Sequence, residues 1–488
     1  MNVLLLSNNA PNYFYFFNHL AQLIHKDGAE VTVAVDSEIS RENNKINALG
    51  FPVYEFSSFF RSHKTDHDIL ARYSEYNLNS TLLSDYERAQ VYRIWGEKDD
   101  EYFNRLKSAL LTFWEKIFDE RKIDIVLYEN VSNTFSHLAW LVAQRKGKRY
   151  IGIGGSRLPG RFSISSDPLN DSRTSLFFSA IKNSEVLVPD TVKDWAENYL
   201  ANIENIVPDY MKINGLDNVK IVSRYFNTEK IKLFLRLIKH RKDESYYSFQ
   251  AGNPVKTYMN LFSRNLMRKI KTKRLKKYYD ESRCNESFLL YPMHFHPESS
   301  TSILAGTYLD EYEVIRNIAF NLPEGMKLYV KDHMSAWGYP SIEFYKKLKK
   351  LPNVRVLSPN EATKQLIKRS RAVITLTSTV GYEALLLGKK VFLYGEVFYN
   401  FHRNVVKIKS PADLFNILNE NLKDEVIVSK KYTLDFLAAC YLATYPGSLN
   451  LMLKDENARR KAEEIYNKVI KEIIFSDLDA IKNKKLWL

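Results

Sequence analysis

Cysteine is almost missing from this chain: Cys284 and Cys440 are the only two in 488 residues. Two isolated thiols build no disulfide framework, and no CxxC is present for redox or zinc chemistry. Long hydrophobic runs are also missing. No apolar stretch approaches the roughly 18–20 residues that span a bilayer. The opening MNVLLLSNNAPNYFYFF has neither a basic n-region nor a small-residue cleavage site, so it reads as a first strand rather than a leader. A cytoplasmic location is the expectation. There is no repeat at a fixed period and no low-complexity segment, and no nucleic-acid-binding module is recognisable, so nucleic acid is not an expected partner. The two DxD patterns, Asp66-His-Asp68 and Asp477-Leu-Asp479, do not follow convincing strands, so neither a metal nor another cofactor is expected.

Apolar residues make up 45% and charged residues 26%, ordinary globular usage that excludes widespread disorder. The length suits two or three domains. Acidic residues are outnumbered 71 to 57, a net charge of +14, and the surplus is concentrated. Arg268 to Lys277 (RKIKTKRLKK) holds seven basic residues in ten. Tyr258, Phe262, Leu266 and Ile270 precede or overlap it at helical spacing, giving an apolar stripe beside a cationic one. Such a helix suits an anionic membrane surface, each basic residue contributing about 1 kcal/mol, or is a solvated helix between domains.

Strand, helix, strand at Asn2 to Ser7, Tyr13 to His25 and Glu30 to Val35 begins a parallel sheet. Residues 57–120 are polar, aromatic and mostly helical, which predicts an inserted helical cap. The α/β rhythm resumes at Asp124 to Tyr128, Ser136 to Gln144 and Arg149 to Gly152, followed by a Gly-, Ser- and Pro-rich loop from Gly154 to Ser172. A second alternation runs from Ser287 to Tyr394. The expected domains are 1–175, Rossmann-like, with its insertion; 176–283, a helical basic connector; 284–430, a second Rossmann-like domain that binds the nucleotide; and 431–488, a helical tail. The fold class is α/β and GT-B-like, two Rossmann-like halves facing a cleft.

Chemistry-bearing residues of the second half fall at successive strand ends. Tyr291 to Glu298 (YPMHFHPE) offers His294, His296 and Glu298; Lys331 and His333 follow the next strand. The segment Ala372 to Gly395, AVITLTSTVGYEALLLGKKVFLYG, reads as strand, polar turn, helix, glycine, strand. Its turn carries Thr377, Ser378 and Thr379 before a helix expected to begin near Gly381. Ligands of open parallel sheets bind at carboxyl strand ends, and N–H groups at a helix start favour anions. Imidazoles, an ammonium and hydroxyls gathered there suit a sugar nucleotide, whose leaving phosphate gains charge. The plainer alternatives are a structural His-x-His, a solvated Lys331 and a simple Ser378 or Thr379 cap. In the first half, Asp167 and then Glu129 are the carboxylates best placed for base or nucleophile chemistry, with His296 counted among the catalytic candidates. Arg157 and Arg161 are candidates for an anionic sugar or acceptor phosphate.

YPMHFHPESSTSILAG (Tyr291 to Gly306), LYVKDHMSAWGYPS (Leu328 to Ser341) and Val354 to Gly395 together resemble the capsule polysaccharide biosynthesis proteins, which include the bacterial Kdo transferases of capsule export. The resemblance implies a GT-B glycosyltransferase with a CMP-linked donor and no metal. It implies that Lys331 and His333 occupy a His-Pro element, where Met334 replaces the proline. It further implies that Thr377, Ser378, Thr379, Tyr382 and Glu383 bind nucleotide phosphate and ribose. A glutamate that the family places near Gly154 is missing.

The expectation is therefore a glycosyltransferase moving Kdo or a related acidic sugar from a CMP-activated donor to a lipid-linked or growing surface polysaccharide, at the inner membrane face. The alternatives are a UDP-sugar transferase or epimerase, or a catalytically silent carbohydrate-binding subunit.

Overall fold

The structure is a computed structural model, and it describes residues 1–95, 98–207, 209, 228–423 and 428–475. Two compact units emerge. One holds Met1–Pro168 with the described residues of Val219–Phe262 and Thr444–Leu488; the other holds the described residues of Leu169–Asn218 and Ser263–Ala443. These boundaries differ from the contiguous segments expected above. The expected connector, 176–283, is divided between the units, and the expected tail returns to the first.

In the first unit the strands are β1 (Asn2–Ser7), β2 (Glu30–Val35), β3 (Val53–Glu55), β4 (Ile125–Glu129), β5 (Arg149–Gly155) and β6 (Arg161–Ser165). Strands β1 to β5 are parallel, in register Val3 with Val31 and Leu5 with Val33, and β6 runs antiparallel to β5. Val3 to Leu6 are fully buried, the continuous apolar run of a strand covered on both faces. The helix Tyr13–Lys26 turns Phe16, Phe17, Leu20 and Ile24 inward at three- and four-residue spacing. The insertion forms helices Phe56–Ser62, His67–Arg72, Leu83–Tyr92 and Asp100–Arg121. Phe56 and Phe113 meet at 5.4 Å, and Trp114 lies 4.6 Å from Phe135 on the helix Thr134–Arg145. The insertion is thus an inserted helical layer whose aromatic residues pack beside the sheet.

In the second unit all six strands are parallel: β7 (Ser287–Pro292), β8 (Met326–Lys331), β9 (Val354–Leu357), β10 (Ala372–Thr375), β11 (Lys390–Leu393) and β12 (Val405–Lys407). Their spatial order is β12-β11-β10-β7-β8-β9. Chain order reverses between β7 and β10, and such a reversal opens a crevice at the carboxyl ends of the two strands. Helices of both halves of this sheet bury Ile315, Ile318, Leu348 and Leu418 with Leu289, Val330, Ile374 and Phe392 of the strands.

A last short strand, β13 (Tyr445–Pro446), pairs antiparallel with β6 and completes the first sheet as β13-β6-β5-β4-β1-β2-β3. That sheet reverses between β1 and β4. The helix Asp455–Ile465 then buries Ala458, Ala462 and Ile465, and Tyr466 donates to Asp27 at 2.6 Å. The α/β class expected from the sequence stands: two Rossmann-like units, a helical insertion and a helical C-terminal segment.

Candidate functional site

The reversal between β7 and β10 concentrates the second unit's polar chemistry. Beyond β7 the backbone N–H of His294 donates to Glu311 Oε1 at 2.7 Å, and His294 Nδ1 lies 3.3 Å from the same oxygen. The Tyr291 hydroxyl adds a third bond to it at 3.3 Å. On the other side of the ring, the N–H of Thr377 donates to His294 Nε2 at 3.4 Å, and the Thr375 hydroxyl lies 3.2 Å away. Because Nε2 accepts from an amide, the ring proton belongs on Nδ1, facing Glu311. Thr375 Oγ1 in turn accepts from the N–H of Ser378 at 3.2 Å. A buried carboxylate, an imidazole and a hydroxyl therefore fix the turn between β10 and the next helix. Burial pushes the Glu311 carboxyl up, but the His294 bonds and the neighbouring His296 imidazole outweigh it and hold it below the usual range. His296 Nε2 stands 3.9 Å from Glu311 Oε2.

The helix after this turn is Thr379–Leu386, two residues earlier than expected, with Ser378 as its cap accepting from Val380 N–H at 3.2 Å. Tyr399 donates to the Ser378 carbonyl at 2.6 Å. Gly395 closes the third side. A Cβ there would lie 2.6 Å from Thr377 Cγ2, 2.8 Å from Leu304 O and 2.9 Å from Ala305 Cβ, so the loops after β7, β10 and β11 meet where only glycine fits.

After β8, His333 caps a short turn by accepting the Ser335 N–H on Nδ1 at 3.2 Å, which leaves Nε2–H as its donor. Burial, then the neighbouring His294 and Lys331, lower its pKa to about 4, so it is neutral at pH 7. Those electrostatic neighbours are the His294 loop and Lys331, and Phe295 stands 6.3 Å from its ring.

Several expected ligands have other places. Lys331 donates to the Pro359 carbonyl at 3.0 Å, and burial lowers it to about 8; its ammonium is tied to the loop after β9. Asp332 accepts from Tyr279 at 2.6 Å and Tyr345 at 2.7 Å and is structural. Tyr382 is 1% exposed, packed on Phe398 and Phe436, because helical periodicity turns it inward from the capped end. Glu383 pairs with Lys364 at 3.8 Å, and burial raises its pKa. Glu298 is exposed and precedes the helix Ser299–Leu304. His294 is a buried organiser of the turn rather than an open ligand. The structure thus brings together His294, His296, Thr377 and Ser378, with His333 in electrostatic range. Glu311, Thr375 and Gly395 complete the arrangement and were not picked out from the sequence.

In the first unit Glu129 ends β4, at that sheet's own reversal. Ser132 donates to its carboxylate at 2.7 Å, yet burial dominates and lifts the group to about 7. The Tyr13 hydroxyl is pushed up, first by the Glu129 charge and then by burial. Asn133 caps the helix Thr134–Arg145 beside it at 2.9 Å. Asp167 lies part-buried after β6, its carbonyl accepting from Ser165 at 2.7 Å. Arg157 is part-buried between β5 and β6. Arg161 is held at the sheet edge by Thr444, its Nε 2.8 Å from Oγ1, which corrects its expected role as an anion ligand. At Gly154, near where a glutamate was expected, a Cβ would lie 2.6 Å from Asn130 Nδ2, so the asparagine fills that space. Asp66 caps the helix His67–Arg72 through bonds from Asp68 and Ile69 N–H, so the first DxD is a capping motif. The second, Asp477 to Asp479, lies outside the described residues.

Comparison with known proteins adds a resemblance. Residues 203–404 match the capsule polysaccharide biosynthesis protein family. This chain resembles the capsule polysaccharide biosynthesis proteins. Protein FixF of Sinorhizobium fredii is 36% identical over 97 residues, 20% of this chain and 22% of that protein, so the chain spans about a fifth of the length of this curated relative. Among solved structures, KpsC of Thermosulfurimonas dismutans, a beta Kdo 2,4 transferase, is similar at 16% identity over 67% of this chain and 85% of that one, with a TM-score of 0.34. The UDP-GlcNAc 2-epimerase of Methanocaldococcus jannaschii is similar at 10% identity over 96% of this chain and 100% of that one, with a TM-score of 0.24.

Proposed function

We propose that the chain is a glycosyltransferase of surface-polysaccharide synthesis that takes its sugar from a CMP-activated donor such as CMP-Kdo. One observation carries the proposal: the Glu311–His294–Thr375 relay fixes a capped polar turn at the reversal point of a six-stranded parallel sheet. Donors held rigid before a ligand arrives need no reorganisation as charge develops, and a helix start with hydroxyls suits a phosphate. The family match over residues 203–404 supports surface-polysaccharide chemistry. In the proposed scheme the phosphate sits against Thr377, Ser378 and Thr379, with His333 Nε2–H and His296 as further donors. The acceptor hydroxyl oxygen forms a bond to the anomeric carbon while the bond from that carbon to the nucleotide phosphate oxygen breaks. The hydroxyl proton passes to a carboxylate, and the nucleotide leaves as an anion. On the first unit, Glu129, with its pKa near neutrality, is the carboxylate proposed for proton chemistry in place of Asp167, since a base works best when its pKa lies near the working pH. The acceptor is a lipid-linked or growing glycan, Arg157 is a candidate contact for its anionic groups, and no metal enters the scheme.

Thermal shifts with CMP, UDP, CDP and GDP test this. A ligand at a hundredfold excess over its Kd stabilises by about 2.7 kcal/mol. A shift with CMP, reduced in His333→Ala, supports the proposal. A shift with UDP alone moves the donor class, and acceptor dependence of nucleotide release then separates a transferase from an epimerase. No shift with any nucleotide overturns the proposal in favour of a silent carbohydrate-binding subunit.

A further inference from the structure

The helix Pro254–Leu275 has two contrasting long faces. Its inner face grips the loop that follows His333. Arg268 donates to the carbonyls of Trp337 and Ser335, the latter at 3.2 Å. The guanidinium groups of Arg264 and Arg268 lie over the Tyr339 ring at 4.0 and 4.4 Å, and Tyr339 bonds the buried Asn265 at 3.3 Å. Leu275 is fully buried. The outer face is uncovered among the described residues: Leu266 is 45%, Met267 45% and Ile270 43% exposed. One and two turns further on, the same arc presents Lys269, Lys273, Arg274 and Lys277, all exposed, with Lys276 beside them. None of these five makes an ion pair with a described residue.

Charge decides what covers this face. From Pro254 to Tyr279 the chain contains no Asp or Glu. A protein partner of mixed charge would leave several of these cations unmatched or repelled. A bilayer of anionic lipids offers negative charge everywhere along the face and an apolar layer just beneath it. Leu266, Met267 and Ile270 can enter that layer while lysines reach back to the headgroups along their apolar stems. The two other arginines are spent on the inner face, which holds the helix at a fixed angle. We infer that the outer face of Pro254–Leu275, continued through Lys277, docks on an anionic membrane surface. Through Arg268 and Tyr339 the docked helix is braced against the loop carrying His333, so the carboxyl edge of the second sheet is held near lipid. This inference stands on exposure and charge and does not need the transferase proposal.

Sedimentation of the full chain with vesicles tests it, using phosphatidylcholine alone and phosphatidylcholine with about a third phosphatidylglycerol. Wild type is expected to pellet with the anionic vesicles, to stay in solution with the neutral ones, and to be released by salt. Lys273→Glu with Lys277→Glu should lower the vesicle partition coefficient at least about tenfold, since two surface cations together are worth more than one decade of binding, and Leu266→Ser with Ile270→Ser should lower it by a similar factor through lost apolar insertion. All four side chains are exposed, so melting temperatures should be unchanged, and that control excludes misfolding. Wild type that ignores lipid charge, or variants that bind as wild type does, would overturn the inference. So would a concentration-dependent dimer without vesicles that the Leu266 and Ile270 changes abolish, which would make the face a contact between copies.

Discussion

Removing the Glu311 side chain is the sharpest perturbation of the turn it supports. Oε1 alone accepts the His294 amide at 2.7 Å, and the His294 ring and the Tyr291 hydroxyl each at 3.3 Å. In Glu311→Ala three donors in a buried region lose their acceptor, at about 1–3 kcal/mol each with partial relaxation, so a loss of roughly 3–5 kcal/mol is expected. For a unit of this size that is roughly 6–20 °C in Tm. Glu311→Gln keeps a neutral acceptor but loses charge assistance, and about 1–2 kcal/mol is expected. The acid limb gives an independent reading. The Glu311 carboxyl titrates below its usual value when folded, so its contribution is present above the unfolded pKa and is lost as pH falls through the folded one. The gap between wild type and Glu311→Gln should therefore be wide at pH 7 and close below about pH 4. Differential scanning fluorimetry from pH 3 to 8, with and without nucleotide, measures both. An alanine variant that melts within about 1 °C of wild type at pH 7 would refute the relay.

Three further outcomes are expected. Glu129→Gln should abolish turnover without loss of stability. Its folded pKa is raised to about 7, so the stability this carboxyl gives is present below its unfolded pKa and lost as pH rises through 7. The glutamine variant should gain on wild type between pH 5 and 8 in melts, while the wild-type rate rises with an inflection near 7; an unchanged rate removes Glu129 from the chemistry. Gly395→Ala should cost roughly 1–3 kcal/mol by overpacking three loops and should shrink the nucleotide-induced melting shift. Ser378→Ala removes the acceptor for Val380 N–H, and a loss of about 1 kcal/mol together with weaker nucleotide binding by calorimetry is expected. Unchanged nucleotide affinity would reduce Ser378 to a helix cap.

Strands and helices of both sheets were legible where apolar periodicity was strong. Asn2–Ser7 and Glu30–Val35 lie where the sequence puts them, and the strands of the second sheet fall within the alternation read from Ser287 to Tyr394. The antiparallel β6 and the two-residue β13 were not legible. Both are edge elements made in polar or turn-rich sequence, and long-range pairing rather than local pattern creates them. Among site residues the polar turn at 377–379 was visible because a hydroxyl cluster between an apolar run and a helical run marks the end of a strand and the start of a helix at once. Glu311 was hidden because an acidic residue in a helix's first turn has an ordinary local reason to be there. Tyr382 misled for the opposite reason. It adjoins the polar turn in sequence, but helical periodicity carries it to the inner face, where it is packed in the core.

The antiparallel closure of the first sheet sets how this protein can be dissected. Pro446 and Tyr445 lie against Arg161 and Phe162, and the Asp455–Ile465 helix buries its apolar face close to the Tyr13–Lys26 helix. A fragment cut near Pro168 would present a naked strand edge and an uncovered apolar helix, both invitations to aggregate. Separating the halves for ligand studies calls for keeping 1–168, 219–262 and 444–488 together in one polypeptide instead of a cut at one point of the chain.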